Sequence, residues 1–189
     1  LALAATQPIQ ALAEVPARTR ARVTASSGVS ETCSMSTAEL DSLNSRVEQG
    51  DAVSQAELGY FYILGNCVPQ DDAEGARLSR LAAEQGNARA QNNLGEAYRR
   101  GSQGVPQDYA EAVRLYRLAA DQGSTTAQYN LGLMYDLGQG ILQDDLEAVR
   151  WYRLAAEQGL ASAQYNLGLM YATGEGVREN MVLAYMWWN

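Results

Sequence analysis

Histidine and lysine are both missing from this chain of 189 residues, and its 14 basic side chains are all arginine. The commonest general base, the commonest metal ligand and the Schiff-base nucleophile are thereby removed. Without lysine there is no S-x-x-K and no phosphate-cradling G-K-[ST] loop, and without histidine there is no H-E-x-x-H. Serine acylation by that motif, P-loop and zincin chemistry are therefore excluded. The two cysteines, with no histidine beside them, make a weak metal site. No run is long and apolar enough to span a bilayer. Nor is there a basic run: 22 acidic residues against 14 arginines give a net charge of -8. Nucleic-acid affinity draws mainly on phosphate neutralisation, which such a chain supplies poorly. The expectation is a chain that is not an enzyme, holds no cofactor or metal, and binds no nucleic acid.

What the chain does have is repetition. The nonapeptide AQYNLGLMY stands at Ala127 to Tyr135 and returns letter for letter at Ala163 to Tyr171. Looser copies are AQNNLGEAY at Ala90 to Tyr98 and SQAELGYFY at Ser54 to Tyr62. The glycines of the Leu-Gly pairs, Gly59, Gly95, Gly132 and Gly168, follow one another at 36, 37 and 36 residues. A near-fixed interval of this size is the signature of stacked units, each too small to bury its own apolar face. The repeats are placed at 51–86, 87–123, 124–159 and 160–189.

Residues 1–13, LALAATQPIQALA, begin without methionine, and Ala11-Leu12-Ala13 before Glu14 fits a signal-peptidase site. They are read as the remnant of a signal peptide, and residues 14–35, which lack helical periodicity, as a flexible leader. From Ser36, Leu40, Leu43 and Val47 recur at helical spacing until Gly50. Residues 36–50 are therefore expected to form an N-terminal capping helix.

Each unit reads as two helices. In the third, the first helix starts after Ser124 as N-cap and runs to Leu137, and Gly138-Gln139-Gly140 turns the chain. The second helix starts at Asp144 with Glu147 three residues on, which predicts a reciprocal capping box. Asp71 with Glu74 and Asp108 with Glu111 repeat the device, while Asn180 caps the fourth unit without the glutamate. The second helices end in RLAAEQG, RLAADQG and RLAAEQG, whose glycine suits a left-handed C-terminal residue. Acidic pairs such as Asp71-Asp72 and Asp144-Asp145 are explained by these helix N-termini rather than by glycosidase chemistry. A glycine inside each first helix costs about 1 kcal/mol relative to alanine. The expected offset is close approach of the second helix at Gly75, Ala112, Ala148 and Ala184, with Leu131, Tyr135, Leu154 and Ala155 filling the seam.

L-G-x-x-Y in the first helix, G-x-G-V in the turn and the ending L-A-A-x-Q-G resemble Sel-one-like repeats (SLR), relatives of tetratricopeptide repeats. The resemblance covers about residues 36–189. Departures lie at the ends and in the first turn, where Cys67 stands at the position of Gly140 and Gly176. It implies an all-α fold, a right-handed α-solenoid of antiparallel helix pairs with a concave groove, and work as an adaptor in complex assembly or envelope signalling. If first helices line that groove as in related repeats, the residues beside the Leu-Gly pairs face it. These are Asn93, Glu96, Arg99, Tyr129, Asn130, Leu133, Tyr165, Asn166 and Leu169. Asparagine pairs with an extended peptide backbone through donor and acceptor, and tyrosine gives broad contact. The same asparagines are equally suited to bond a neighbouring helix.

Cys33 and Cys67 fall on one edge of the stack, which allows a disulfide between them in an exported protein; two unrelated thiols are the alternative. Asn189 aligns with Arg153, in mid-helix, so the last unit is expected to be incomplete. The sequence thus predicts an exported protein, periplasmic or secreted, that binds a protein or peptide partner in its groove. A structural envelope component contacting peptidoglycan or another polysaccharide is the second reading.

Overall fold

The computed structural model describes residues 33, 35–102 and 104–189. The readings of a signal-peptide remnant and of nearly all the leader lie outside these residues. The described chain is helical, without strands, and runs α1 (Thr37–Glu48), α2 (Ala52–Leu64), α3 (Asp72–Glu84), α4 (Ala88–Arg100), α5 (Tyr109–Asp121), α6 (Thr125–Leu137), α7 (Asp145–Glu157), α8 (Ala161–Thr173) and α9 (Met181–Trp188). Each helix packs chiefly on its neighbours along the chain, α2 on α3, α3 on α4 and so on to α9. The result is the all-α, right-handed solenoid of antiparallel helix pairs. Even-numbered helices are the first helices of the four units, and α1 closes the near end.

Local chemistry sets the helix limits. Asp71, Asp108 and Asp144 accept from the backbone N–H of Glu74, Glu111 and Glu147 at 3.0, 3.0 and 3.1 Å. The expected return bond from the glutamates is not made. An arginine one turn on takes each carboxylate instead, Arg77 at 2.7 Å, Arg114 at 2.6 Å and Arg150 at 3.3 Å. Among the described residues the full reciprocal box forms only at Ser36 and Glu39, where no such arginine follows. Ser124 occupies the N-cap position of α6, but its side chain makes no capping bond. First helices end on left-handed glycines, Gly65, Gly101, Gly138 and Gly174.

The seam between paired helices keeps the expected small residues, Ala112, Ala148 and Ala184 being fully buried, but adds a ring to it. In the first unit two small residues do meet, since a Cβ on Gly75 would lie 2.9 Å from the Gly59 carbonyl oxygen. In the later units the first-helix glycine makes room for a ring. A Cβ on Gly95 would come 3.0 Å from Tyr116, one on Gly132 would come 2.8 Å from Tyr152, and one on Gly168 would overlap Trp188. The ring position is serine, Ser79, in the first unit, which lets those backbones touch. Leu131 and Ala155 are fully buried as expected, but Leu154 is 37% exposed and stands outside the seam.

A disulfide joins Cys33 to Cys67, with Cα atoms 4.7 Å apart and 34 positions between them in sequence. Closing a loop of that length restricts the unfolded chain by roughly 3–4 kcal/mol. Among the described residues Cys67 is the one non-glycine with positive φ, at 60°, matching 69° at Gly140 and 65° at Gly176.

Candidate interaction surface

The predicted groove residues all lie on first helices, α4, α6 and α8. Asn130 donates from its side-chain amide to the Asn92 carbonyl oxygen at 3.1 Å, and Asn92 donates to Asn93 at 3.4 Å. The first of these bonds joins α6 to α4 across adjacent units, and the second lies within α4. Asn166 lies against the Tyr152 hydroxyl. Asn93 and Asn130 therefore already have hydrogen-bond partners within the chain. Tyr129 stacks obliquely on Tyr152 with ring centres 5.7 Å apart, and Tyr165 on Trp188 at 6.4 Å. One row stays open. Tyr60, Glu96, Leu133 and Leu169 occupy equivalent positions in the four units; Tyr60 is 46% and Leu169 43% exposed, and nearby Tyr165 is 61% exposed.

Glu96 interrupts that row with a charged knot. Its carboxylate accepts from Arg99 at 2.7 Å, from Arg100 and from the Tyr116 hydroxyl at 2.7 Å. Burial on its own would raise the Glu96 pKa. The hydrogen bonds from Arg99 and Tyr116, the Arg99 charge and Arg100 outweigh it and hold the carboxyl at about 2. Burial, followed by Glu96 itself, pushes the Tyr116 hydroxyl above the ordinary tyrosine range. In the third unit Tyr152 donates to Asp136 at 3.0 Å instead. Burial raises the Asp136 pKa, and the Asp145 and Glu175 charges add to it against the bond from Tyr152.

Residues absent from the sequence-based groove also prove to be organised. Gln85, Gln122 and Gln158 donate to Gln55, Gln91 and Gln128 at 2.7, 2.8 and 2.7 Å. Gln91, Gln128 and Gln164 in turn donate to the carbonyl oxygens of Ala83, Ala120 and Ala156. Each middle glutamine thus ties three successive helices and satisfies a carbonyl near a helix end. Their signal was present in the sequence, as the in-phase glutamines of A-Q and E-Q-G. Asn92 had no such signal, since its counterparts are Ala56, Tyr129 and Tyr165.

A cavity of about 460 Å³ lies away from the predicted groove, between the second helices α3 and α5 over α4. The buried Ala83, Leu94 and Leu115 line it together with the buried Gln91, and Arg80, Glu84, Glu111 and Arg114 add charge to its walls.

Comparison with known proteins agrees with this architecture. A family model described as Sel1 repeat matches four consecutive stretches, 52–87, 88–124, 125–160 and 161–189. The structure of a protective antigen present in uropathogenic Escherichia coli strains, described as displaying an SLR fold, is similar at 45% identity and a TM-score of 0.75. That match covers 78% of this chain and 32% of the antigen. A Sel1 repeat protein from Oxalobacter formigenes is similar at 34% identity and a TM-score of 0.73, over 78% of this chain and 60% of the other. Helicobacter pylori cysteine rich protein B is alike in fold alone, at 20% identity and a TM-score of 0.52, over 65% of this chain and 92% of that one. The chain thus spans less than two thirds of the length of the first two proteins. No curated protein matches it.

Proposed function

The chain belongs to the Sel1-repeat family, whose members are typically protein-interaction scaffolds, and from that premise we propose that it is a non-enzymatic scaffold binding a protein or peptide across its first helices. The observation that carries this reading is the row at equivalent positions of exposed Tyr60, half-buried Leu133 and exposed Leu169, with exposed Tyr165 beside it. Apolar and aromatic side chains standing in line at the repeat spacing suit an extended or helical segment with matching periodicity. Glu96, Arg99 and Arg100 give the row one polar station that fixes register. Asn93 and Asn130 support this surface by bonding within the chain, Asn166 lies against the Tyr152 hydroxyl, and Tyr129 braces Tyr152 beneath it.

The reading extends to location. A disulfide between Cys33 and Cys67 persists where thiols are oxidised, and among the described residues no helix is long and apolar enough to cross a membrane. The disulfide supports work in an exported compartment, in the periplasm or secreted.

The test is photocrosslinking in the native host from position 133 or 169, followed by capture with purified Leu169→Ala/Tyr165→Ala protein. The double variant is expected to keep its helicity and thermal midpoint and to lose the crosslinked partner. Retention of that partner, or capture of peptidoglycan fragments and no protein, would overturn the proposal.

A further inference from the structure

The second-helix face carries a feature that the first-helix row does not explain. The cavity between α3 and α5 is formed by Ala83, Leu94, Tyr98, Arg114 and Leu115, with Arg80 at its rim. One unit further on, the same positions hold Ala120, Leu131, Tyr135, Arg150 and Trp151. All but the last keep their chemistry; Leu115 becomes Trp151. That tryptophan is only 8% exposed and belongs to the same core cluster as Ala120 and Leu131. The Arg150 guanidinium lies over its ring, 5.7 Å from the centre. The third unit therefore fills with its own indole the place that the second unit leaves open.

The latch differs as well. Arg117 donates to the Tyr135 hydroxyl at 2.5 Å, and Arg153 donates to the Tyr171 hydroxyl at 2.6 Å. The counterpart pair is Arg80 and Tyr98, and among the described residues neither its guanidinium nor its hydroxyl has a side-chain hydrogen bond. Both flank the cavity. The Tyr98 hydroxyl is thus without the arginine donor that Tyr135 and Tyr171 have.

We propose that this cavity is a socket for a tryptophan side chain presented by a protein partner. The guest ring takes the place that Trp151 takes one repeat on, over Leu94 and Ala83 and beneath Arg114. Three features select such a guest: a volume within the ~300–1,000 Å³ of small-ligand sites, the buried Ala83, Leu94 and Leu115 at its floor, and Arg114, held beside the cavity by Glu111 at the position from which Arg150 covers Trp151. Indole is favoured over an aliphatic side chain because Arg114 rewards a π-face, as Arg150 does over Trp151. The socket is separate from the first-helix row, so either surface can fail its test without the other.

The experiment is methyl NMR on the disulfide-bonded protein titrated with N-acetyl-L-tryptophanamide, with N-acetyl-L-leucinamide as control. Saturable shifts are expected at the methyls of Leu94, Leu115 and Leu118, with the leucine analogue roughly tenfold weaker. Leu115→Trp should fill the socket as Trp151 does, raise the thermal midpoint and abolish the shifts. If that variant does not fold, Arg114→Ala replaces it and should weaken binding about threefold, the loss of one exposed cation–π contact. Shifts that do not saturate, that centre elsewhere, or that the leucine analogue reproduces would overturn the proposal. So would self-association that Leu115→Trp removes, because a second copy of the chain would then be the guest.

Discussion

The second and third units share more than half of their sequence and solve the same packing problem with opposite charge environments. Both bury a tyrosine against a first-helix glycine, and both give its hydroxyl a carboxylate. In the second unit the carboxylate is Glu96, next to Gly95 and ringed by Arg99 and Arg100. In the third it comes one turn later, as Asp136, with Asp145 and Glu175 nearby. The second unit leaves a cavity on its outer side, and the third fills it with Trp151. The repeat thus specifies a backbone and a buried ring; what satisfies the ring and what occupies the space behind it are left to the individual unit.

The largest difference should appear in the turns. Gly140 packs so closely on the Tyr109 carbonyl that a Cβ would overlap it, whereas Gly104, one residue displaced by the longer turn, has nothing within 4 Å. Gly140→Ala is expected to lose about 3 kcal/mol or more through that clash. Gly104→Ala should lose only the left-handed backbone cost of about 1–2 kcal/mol. Urea unfolding of both variants measures the gap, and equal losses would show that backbone conformation alone governs these turns.

Next comes the plug. Trp151→Leu makes the third unit resemble the second and should cost about 2–3 kcal/mol in lost burial and cavity formation. A loss below about 0.5 kcal/mol would mean that the space closes up when the ring is removed.

The carboxylates sharpen the comparison through pH. Glu96 has a depressed folded pKa, so its stabilisation is present above the unfolded carboxylate value and is lost as pH falls towards about 2. Asp136 has a raised folded pKa; its contribution is full below the unfolded value and is lost as pH rises through the folded one. Glu96→Gln should therefore be destabilised at pH 7, with the deficit shrinking on acidification. Asp136→Asn should be more stable than the parent at pH 7, and that gain should disappear in acid. Parallel thermal midpoints from pH 7 to pH 2 check both signs.

The smallest effect belongs to the surface pairs. Arg114 lies 2.6 Å from Glu111 and Arg150 lies 3.3 Å from Glu147, both arginines well exposed. Removing either pair should change stability by less than about 0.5 kcal/mol, and a double-mutant cycle in each unit would measure the term.

The helices were legible because their signals are local and repeated. Asp144 and Gly138 mark helix ends through bonds to residues within one turn, and the phase of Leu131 and Gly132 marks the buried face. The reciprocal half of the capping box was misread because Arg114 and Arg150 compete for the same glutamates, and a pattern of caps does not weigh that competition. Leu154 was assigned to the seam from its repetition alone, although the alanines that follow it fill the narrow contact. The interaction surface was harder still. Asn92 reaches Asn130 across 38 positions, and no periodicity in a single unit announces a bond between units. The open cavity became visible only when the consequence of leucine against tryptophan at one position was set in three dimensions.

The glutamine ladder carries one further consequence, for how such a chain changes over generations. Gln91 receives from the end of its own unit and gives to the unit before it, and Gln128 does the same. Every copy therefore brings both halves of the joint. A unit duplicated or deleted whole by recombination leaves a ladder whose rungs still match, so length can drift in steps of one repeat without any compensating substitution at the junction.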